Sequence, residues 1–140
     1  EPVRHEDISG AIKGKSTIYN HIKELLESAK KEVIICTSTD ELQHKSRFFS
    51  LIFDKLNKAK IKIRLALSGD EKEIKKINNK YKIKAKPMDI DTRFYIADSD
   101  QILFMISKGN SPDEDIAIWL NTPFFANALG FMFEQAVKDN

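Results

Sequence analysis

The chain has 140 residues, 41% of them hydrophobic and 31% charged, with a net charge of +2. That length supports one domain with its own core, and no apolar run approaches the roughly 18 residues of a membrane span, so no membrane-spanning helix is expected. The single cysteine, Cys36 in the apolar run Val33-Ile34-Ile35-Cys36, excludes a disulfide framework; it fits a cytoplasmic setting and reads as a small buried strand residue.

Glu1 to Gly14 is polar and broken by Gly10 and Gly14, with a lead-in strand expected near Val3 to Ile8. Ser16 stands where a helix N-cap belongs. Beyond it Ile18, Ile22, Leu25, Leu26 and Ala29 share one helical face. Glu32 to Thr37 reads as the first core strand. Thr39 or Asp40 is expected to cap a helix from Glu41 to Ala59, with Phe48, Leu51, Ile52, Leu56 and Ala59 turned inward. Ile61 to Leu67 reads as a second strand, and a strand, helix, strand succession implies parallel pairing.

Ser68-Gly69-Asp70 ends that strand, and Asp70 to Asn79 reads as a short helix buried through Ile74 and Ile77. Tyr81 to Lys86 alternates like an edge strand whose outward lysines discourage pairing with another chain, stopped by Pro87. Asp91 to Ala97 and Ile102 to Ile106 read as two strands joined by the turn Asp98-Ser99-Asp100, whose short side chains bond their own backbone. The run Ile102 to Ile106 suggests a strand covered on both faces. Lys108 to Glu114 reads as a loop and Asp115 to Leu120 as a last strand. Asn121 or Thr122 then caps a final helix with Pro123 in its first turn and a buried stripe of Phe125, Ala128, Leu129, Met132, Phe133 and Ala136. The fold class is α/β, a mixed sheet flanked by helices on both sides.

Asp91, Arg93 and Asp98 fall at the spacing of the phospholipase D signature H-x-K-x-x-x-x-D, with Asp in place of His and Arg in place of Lys. With the element order, this resembles one half of a phospholipase D-like fold. In that superfamily the His is the nucleophile, the Lys holds phosphate oxygens and the Asp supports the site. A carboxylate at position 91 repels an incoming phosphate and lacks the basicity of imidazole. Three features together resemble the C-terminal effector domain of TrmB-like archaeal transcription regulators: Ala-Lys-Lys-Glu at 29–32, this degenerate core, and Ile-Trp-Leu-Asn-Thr-Pro at 118–123 leading into an aromatic-rich helix.

The resemblance implies a single effector domain over residues 1–140, with a lead-in and N-terminal helix over 1–31 and the core over 32–140. It implies a fragment without the upstream winged-helix domain, which in that family contacts DNA. It implies a homodimer and a small-molecule effector, a sugar or other metabolite. No enzyme is expected, because the chain holds one half of a two-part site and His5, His21 and His44 lie outside the signature. No cofactor motif or metal-ligand spacing is present. The alternatives are a phosphodiesterase or nuclease assembled from two such halves, and a stand-alone dimerisation module.

Ligands of open α/β sheets bind beyond the carboxyl ends of parallel strands. Those ends offer Thr37, Ser38, Thr39 and Ser68, with Asn121 as a further candidate, a set of hydroxyls and an amide suited to a neutral polyol. The same residues also suit helix capping. Arg93 can clamp an anion, with Asp91 as its expected ion-pair partner. Residues 55–86 carry 12 Lys or Arg against 3 acidic residues, a pattern of nucleic-acid surfaces and equally of protected sheet edges; Tyr81 is the only aromatic there. Phe124 and Phe131 lie off the buried stripe of the last helix, as residues of an interface do.

Overall fold

A computed structural model describes residues 9–107 and 114–137. The chain runs β1 (Ser9–Lys13), α1 (Lys15–Glu27), β2 (Glu32–Ser38), α2 (Thr39–His44), α3 (Ser46–Lys58), β3 (Lys62–Ser68), α4 (Glu71–Tyr81), β4 (Lys86–Pro87), β5 (Phe94–Ala97), β6 (Gln101–Ser107), β7 (Ile116–Asn121) and α5 (Pro123–Val137). The strands form one seven-stranded mixed sheet in the order β1-β7-β6-β5-β2-β3-β4. β2, β3 and β4 run parallel to one another. β5 is antiparallel to β2, and β6, β7 and β1 follow antiparallel.

Alternation along the strands sorts the core into two layers. Val33, Ile35, Leu65, Leu67 and Tyr95 point toward α1, α3 and α4 and join Ile18, Ile22, Leu26, Phe49, Ile52 and Ile77. Ile34, Cys36, Ala66, Phe94, Ile96 and Ile102 point the other way, toward α5 with its Ala126, Phe133 and Val137. Cys36 is buried and free, and burial raises its thiol well above the ordinary range, so it stays protonated.

Several sequence expectations shift. The lead-in strand is β1, Ser9–Lys13, paired with β7; Val3 to Ile8 lie outside the described residues, as do 108–113 of the expected loop. Gly14, at φ 94, is the N-cap of α1 in place of Ser16, and its N–H donates to the Asp115 carbonyl at 2.9 Å. A left-handed residue turns the chain directly from β1 into the helix, as glycine does at little cost. The expected helix over 41–59 breaks at Lys45, whose φ −112 and ψ 39 leave the helical region. Ser38, not Thr39 or Asp40, caps the first piece by accepting from Glu41 N–H at 3.0 Å. The restart turns Phe49, Ile52, Phe53 and Leu56 inward and leaves Leu51 and Ala59 exposed.

The expected edge strand over 81–86 shrinks to Lys86–Pro87, still at the sheet edge. Tyr81 remains in α4, and the Asn78 amide captures Ala85, accepting from its N–H at 2.8 Å and donating to its carbonyl at 3.0 Å. Backbone groups held by a side chain are withdrawn from the ladder. On α5 the buried line is Ala126, Phe133 and Val137, with Leu129 and Ala136 partly covered, while Phe125, Ala128 and Met132 are exposed. Thr122 caps this helix, accepting from Phe125 N–H at 3.4 Å.

Asp98 ties the centre of the sheet together. Its carboxylate accepts from the N–H groups of Lys30 at 2.9 Å, Lys31 at 2.8 Å and Glu32 at 3.1 Å, and its own N–H donates to the Glu32 carbonyl at 2.9 Å. Burial works to raise its pKa, but the three backbone donors together outweigh burial and hold it below the usual carboxylate range. We therefore expect Asp98→Ala to cost roughly 1.5–3 kcal/mol at neutral pH, the scale of hydrogen bonds to a charged group. A depressed native value stabilises the fold above the unfolded value near ~3.9. The gap between wild type and variant in urea titrations should therefore close as pH falls from about 4 through the lower native value. A gap unchanged at pH 2 would show that the carboxylate charge is not its source.

At the adjacent ends of β2 and β3, Gly69 adopts φ +140, and a Cβ there would lie 2.3 Å from Thr39 Oγ1. Gly69→Ala should cost roughly 1–3 kcal/mol through backbone strain and overlap together. Adding Thr39→Ala removes part of the overlap, so the double variant should be less destabilised than the sum of the single changes. Strict additivity in denaturant melts would show that backbone strain alone sets the cost.

Candidate functional site

Antiparallel pairing of β5 with β2 places Phe94 opposite Cys36. The start of β5 therefore lies where β2 gives way to α2, and Arg93, one residue earlier, is delivered to that point. A cleft of about 640 Å³ opens here. α1 supplies Lys15, Ile18, Tyr19 and Ile22, and α2 supplies Asp40, Glu41, Gln43 and His44. Arg93, Tyr95, Met105 of β6 and Asp115 before β7 complete the lining.

Arg93 Nη1 lies 3.5 Å from Glu41 Oε1, with both side chains mostly buried. The pair fixes the guanidinium and leaves further N–H donors of its planar fork to face the cleft. Asp91, its expected partner, is exposed and does not line the cleft. Tyr95 is fully buried, and burial pushes its phenol well above the ordinary range, so it is a neutral hydroxyl. The Thr37 hydroxyl beneath it is also buried. Thr37 Oγ1 has no partner of ordinary hydrogen-bond geometry, although the Tyr95 hydroxyl lies near enough for the two to interact. The cleft sets three carboxylates, Asp40, Glu41 and Asp115, against Lys15, Arg93 and His44. Such a balanced wall of donors and acceptors suits a ligand that offers both, as a polyol does, more than a free anion.

The three signature positions part company. Asp91 is exposed, Arg93 lies in the cleft, and Asp98 stands beyond the other end of β5, binding backbone. Of the nominated ligand residues, Thr37, Ser38, Thr39 and Ser68 come together at the ends of β2 and β3, with Ser38 directly opposite Ser68. They are occupied structurally: Ser38 caps α2, Thr39 packs on Gly69, and neither lines the cleft, which begins one residue later at Asp40. Asn121 pairs with Gln101 at the opposite end of the sheet from Arg93 and does not join them. In the basic segment, Arg64 is engaged by Glu32 and Glu134 and sits over the Phe133 ring.

Sequence reasoning missed the contribution of α2. Asp40 and Glu41 read as helix-end residues, and His44 as a histidine outside the signature. The break at Lys45 makes α2 a short separate turn lying across the strand end, and no periodicity in the sequence marks that break. The helical spacing of Asp40 and His44, which puts them on one side of a turn, was the available signal. Among the described residues no cluster of His, Cys, Asp and Glu suits a metal ion, and no helix is long and apolar enough to cross a membrane.

The fold is shared with solved structures of low sequence identity. TrmBL2, an archaeal chromatin protein, superposes with a TM-score of 0.65 at 14% identity over 91% of this chain and 51% of that one. The chain thus spans about half the length of TrmBL2. Nuc from Salmonella typhimurium, a phospholipase D family member, gives a TM-score of 0.66 at 11% identity, covering 91% of this chain and 93% of its own. NucT from Helicobacter pylori gives 0.67 at 9% identity, covering 91% and 94%. These likenesses establish the phospholipase D-like fold. No curated protein matches the chain. The family model described as "Transcriptional regulator TrmB, EBD N-terminal subdomain" matches residues 10–129, and the chain therefore belongs to the TrmB family of transcriptional regulators.

Proposed function

We propose that this chain is the non-catalytic, ligand-sensing and dimerising domain of a TrmB-like transcription regulator, acting in the cytoplasm and reaching DNA through a separate winged-helix domain. The observation that carries the sensing role is the cleft around the Arg93–Glu41 pair. It occupies the place to which the phospholipase D register leads, yet it holds a paired guanidinium where that register calls for a phosphate-binding lysine, and an exposed aspartate stands at the nucleophile's position. The cleft can hold and orient a polar molecule without attacking it. The link to DNA rests on the family and on TrmBL2, described as a chromatin protein with a novel mode of DNA binding.

The effector class that fits best is a neutral sugar. Its hydroxyls can donate to Glu41, Asp40 and Asp115 and accept from Arg93 and Lys15, while Tyr19 offers a ring face. In such a regulator, a ligand that prefers one arrangement of the dimer shifts the population toward it. The second reading, a phosphodiesterase built from two halves, draws on the Nuc and NucT folds.

Thermal melts with neutral mono- and disaccharides and with sugar phosphates test this. A ligand at about 100 times its dissociation constant stabilises by about 2.7 kcal/mol, or roughly 8 °C for a domain of this size. Arg93→Ala should abolish the shift. No stabilisation by any neutral sugar would sink the proposed ligand class. Assayed on bis(p-nitrophenyl) phosphate, the protein should show no turnover; turnover lost in Asp91→Ala would instead establish the enzyme.

A further inference from the structure

The two faces of the sheet are covered unequally. α1, α3 and α4 pack on one, and α5 is the helix that packs on the other. α5 is apolar around most of its circumference. Behind its buried line it exposes Phe124 (87%), Phe131 (66%) and Met132 (63%). Beside it, between α5 and the chain entering β5, lies an apolar groove of about 260 Å³ lined by Ile90, Phe94, Phe104, Phe125 and Met132.

The chemistry of this face identifies its occupant. At about 100° per residue, Phe124 and Phe131 project from the outer side of α5, the groove opens on its flank, and Ala128 stands between them. Positions 124, 128, 131 and 135 follow the 4-3-4 spacing of a helix-pairing seam. Knob and hole thus lie on one surface, either side of a small residue. A twofold axis at Ala128 seats each copy's phenylalanines over the other's groove, the reciprocal geometry of an isologous contact.

Charge points the same way. Glu134 is the one charged residue between Pro123 and Val137, and it is turned away to Arg64 on β3. A residue at a twofold axis approaches its own copy, where like charges would repel; the outer side of α5, at positions 124, 128, 131 and 135, carries none.

We propose that a second copy of this chain docks antiparallel along α5, with Ala128 at the twofold axis and the aromatic knobs Phe124 and Phe131 of each copy closing the apolar groove of the other. This rests on the dimerising part of the functional reading and gives it a surface.

Sedimentation equilibrium on the 140-residue chain, wild type against Phe131→Glu, tests it, together with oxidation of Ala128→Cys. The wild type should be a dimer, and Phe131→Glu should raise its dissociation constant by about 100-fold or more, as loss of a central aromatic anchor does. Phe131 is exposed in the single chain, so the variant's far-UV circular dichroism should be unchanged. Ala128→Cys should form a disulfide-linked dimer and Leu51→Cys, on α3, should not; native Cys36 is buried and gives no background. If Phe131→Glu fails to fold, the Ala128→Cys cross-link decides alone. A dimer indifferent to Phe131→Glu and uncrosslinked at position 128 would overturn the α5 assignment while leaving dimerisation in place. A strict monomer at high concentration would overturn both, and the sugar-dependent melts would still judge the sensing role separately.

Discussion

The carboxylate of Asp98 is the constraint on which the arrangement depends. Three successive backbone N–H groups, those of residues 30 to 32, converge on it just as α1 hands over to β2. Asp98 and Ser99 both adopt positive φ, 53° and 58°, a turn that short polar side chains tolerate. The β5–β6 hairpin is thereby pinned to the start of β2. Because β5 is the strand through which β6, β7 and β1 attach to the parallel half of the sheet, one carboxylate sets the register on which four strands depend. The register also fixes what happens at the other end. With Val33 opposite Ala97, Cys36 must lie opposite Phe94, and Arg93 must emerge beside α2.

That delivery explains how a fold shared with phospholipase D enzymes serves a regulator. The register brings a cationic side chain to the strand end, as it does the lysine of the signature. Here Glu41, from the first turn of α2, meets it. A guanidinium already paired with a carboxylate in a mostly buried setting is poorly placed to neutralise a phosphodiester anion, since the carboxylate repels the same ligand. It remains a good fixed donor for a neutral hydroxyl. Under the proposed function, Glu41 on α2 and the aspartate at position 91 are the two departures from the signature that favour holding a ligand over cleaving one.

Strong periodicity and local turn chemistry made most of the fold legible from the sequence. The α1 stripe, the paired Ile74 and Ile77 of α4 and the β2–β3 unit could be read, because each is dictated by residues close in sequence; the turn at Asp98 was also expected, but its carboxylate binds the distant backbone of residues 30 to 32 and not its own turn. What could not be read came from contacts between distant residues. The Lys45 break depends on α2 lying across the end of β2, and with it the phase of the α3 stripe. The shortening of β4 depends on one amide, Asn78, folding back on Ala85. The phase of α5 depends on Arg64 and Ile34 meeting it from the sheet. Of the residues lining the candidate cleft, the sequence reading had nominated only Arg93 as a ligand group. Hydroxyls at strand ends looked like ligand groups, but Ser38 was needed as a cap and Thr39 as packing, and the cleft passed to the side chains that follow them.

Strand pleating places the two candidate binding surfaces on opposite sides of the same few residues. Arg93, Tyr95 and Met105 line the polar cleft, while Thr92, Phe94 and Phe104 line the apolar groove beside α5. Successive side chains of a strand face opposite ways, so any shift of the β5–β6 pair in the middle of the sheet that changes contact at Arg93 also moves Phe94 and Phe104 under α5. Close-packed interiors answer such shifts by changing between discrete arrangements, not by yielding continuously. In the proposed dimer that strand pair forms the floor of the groove that the partner's aromatic knobs close. If both proposals hold, a ligand that contacts Arg93 differently in two dimer arrangements would act on dimer geometry through this one strand pair.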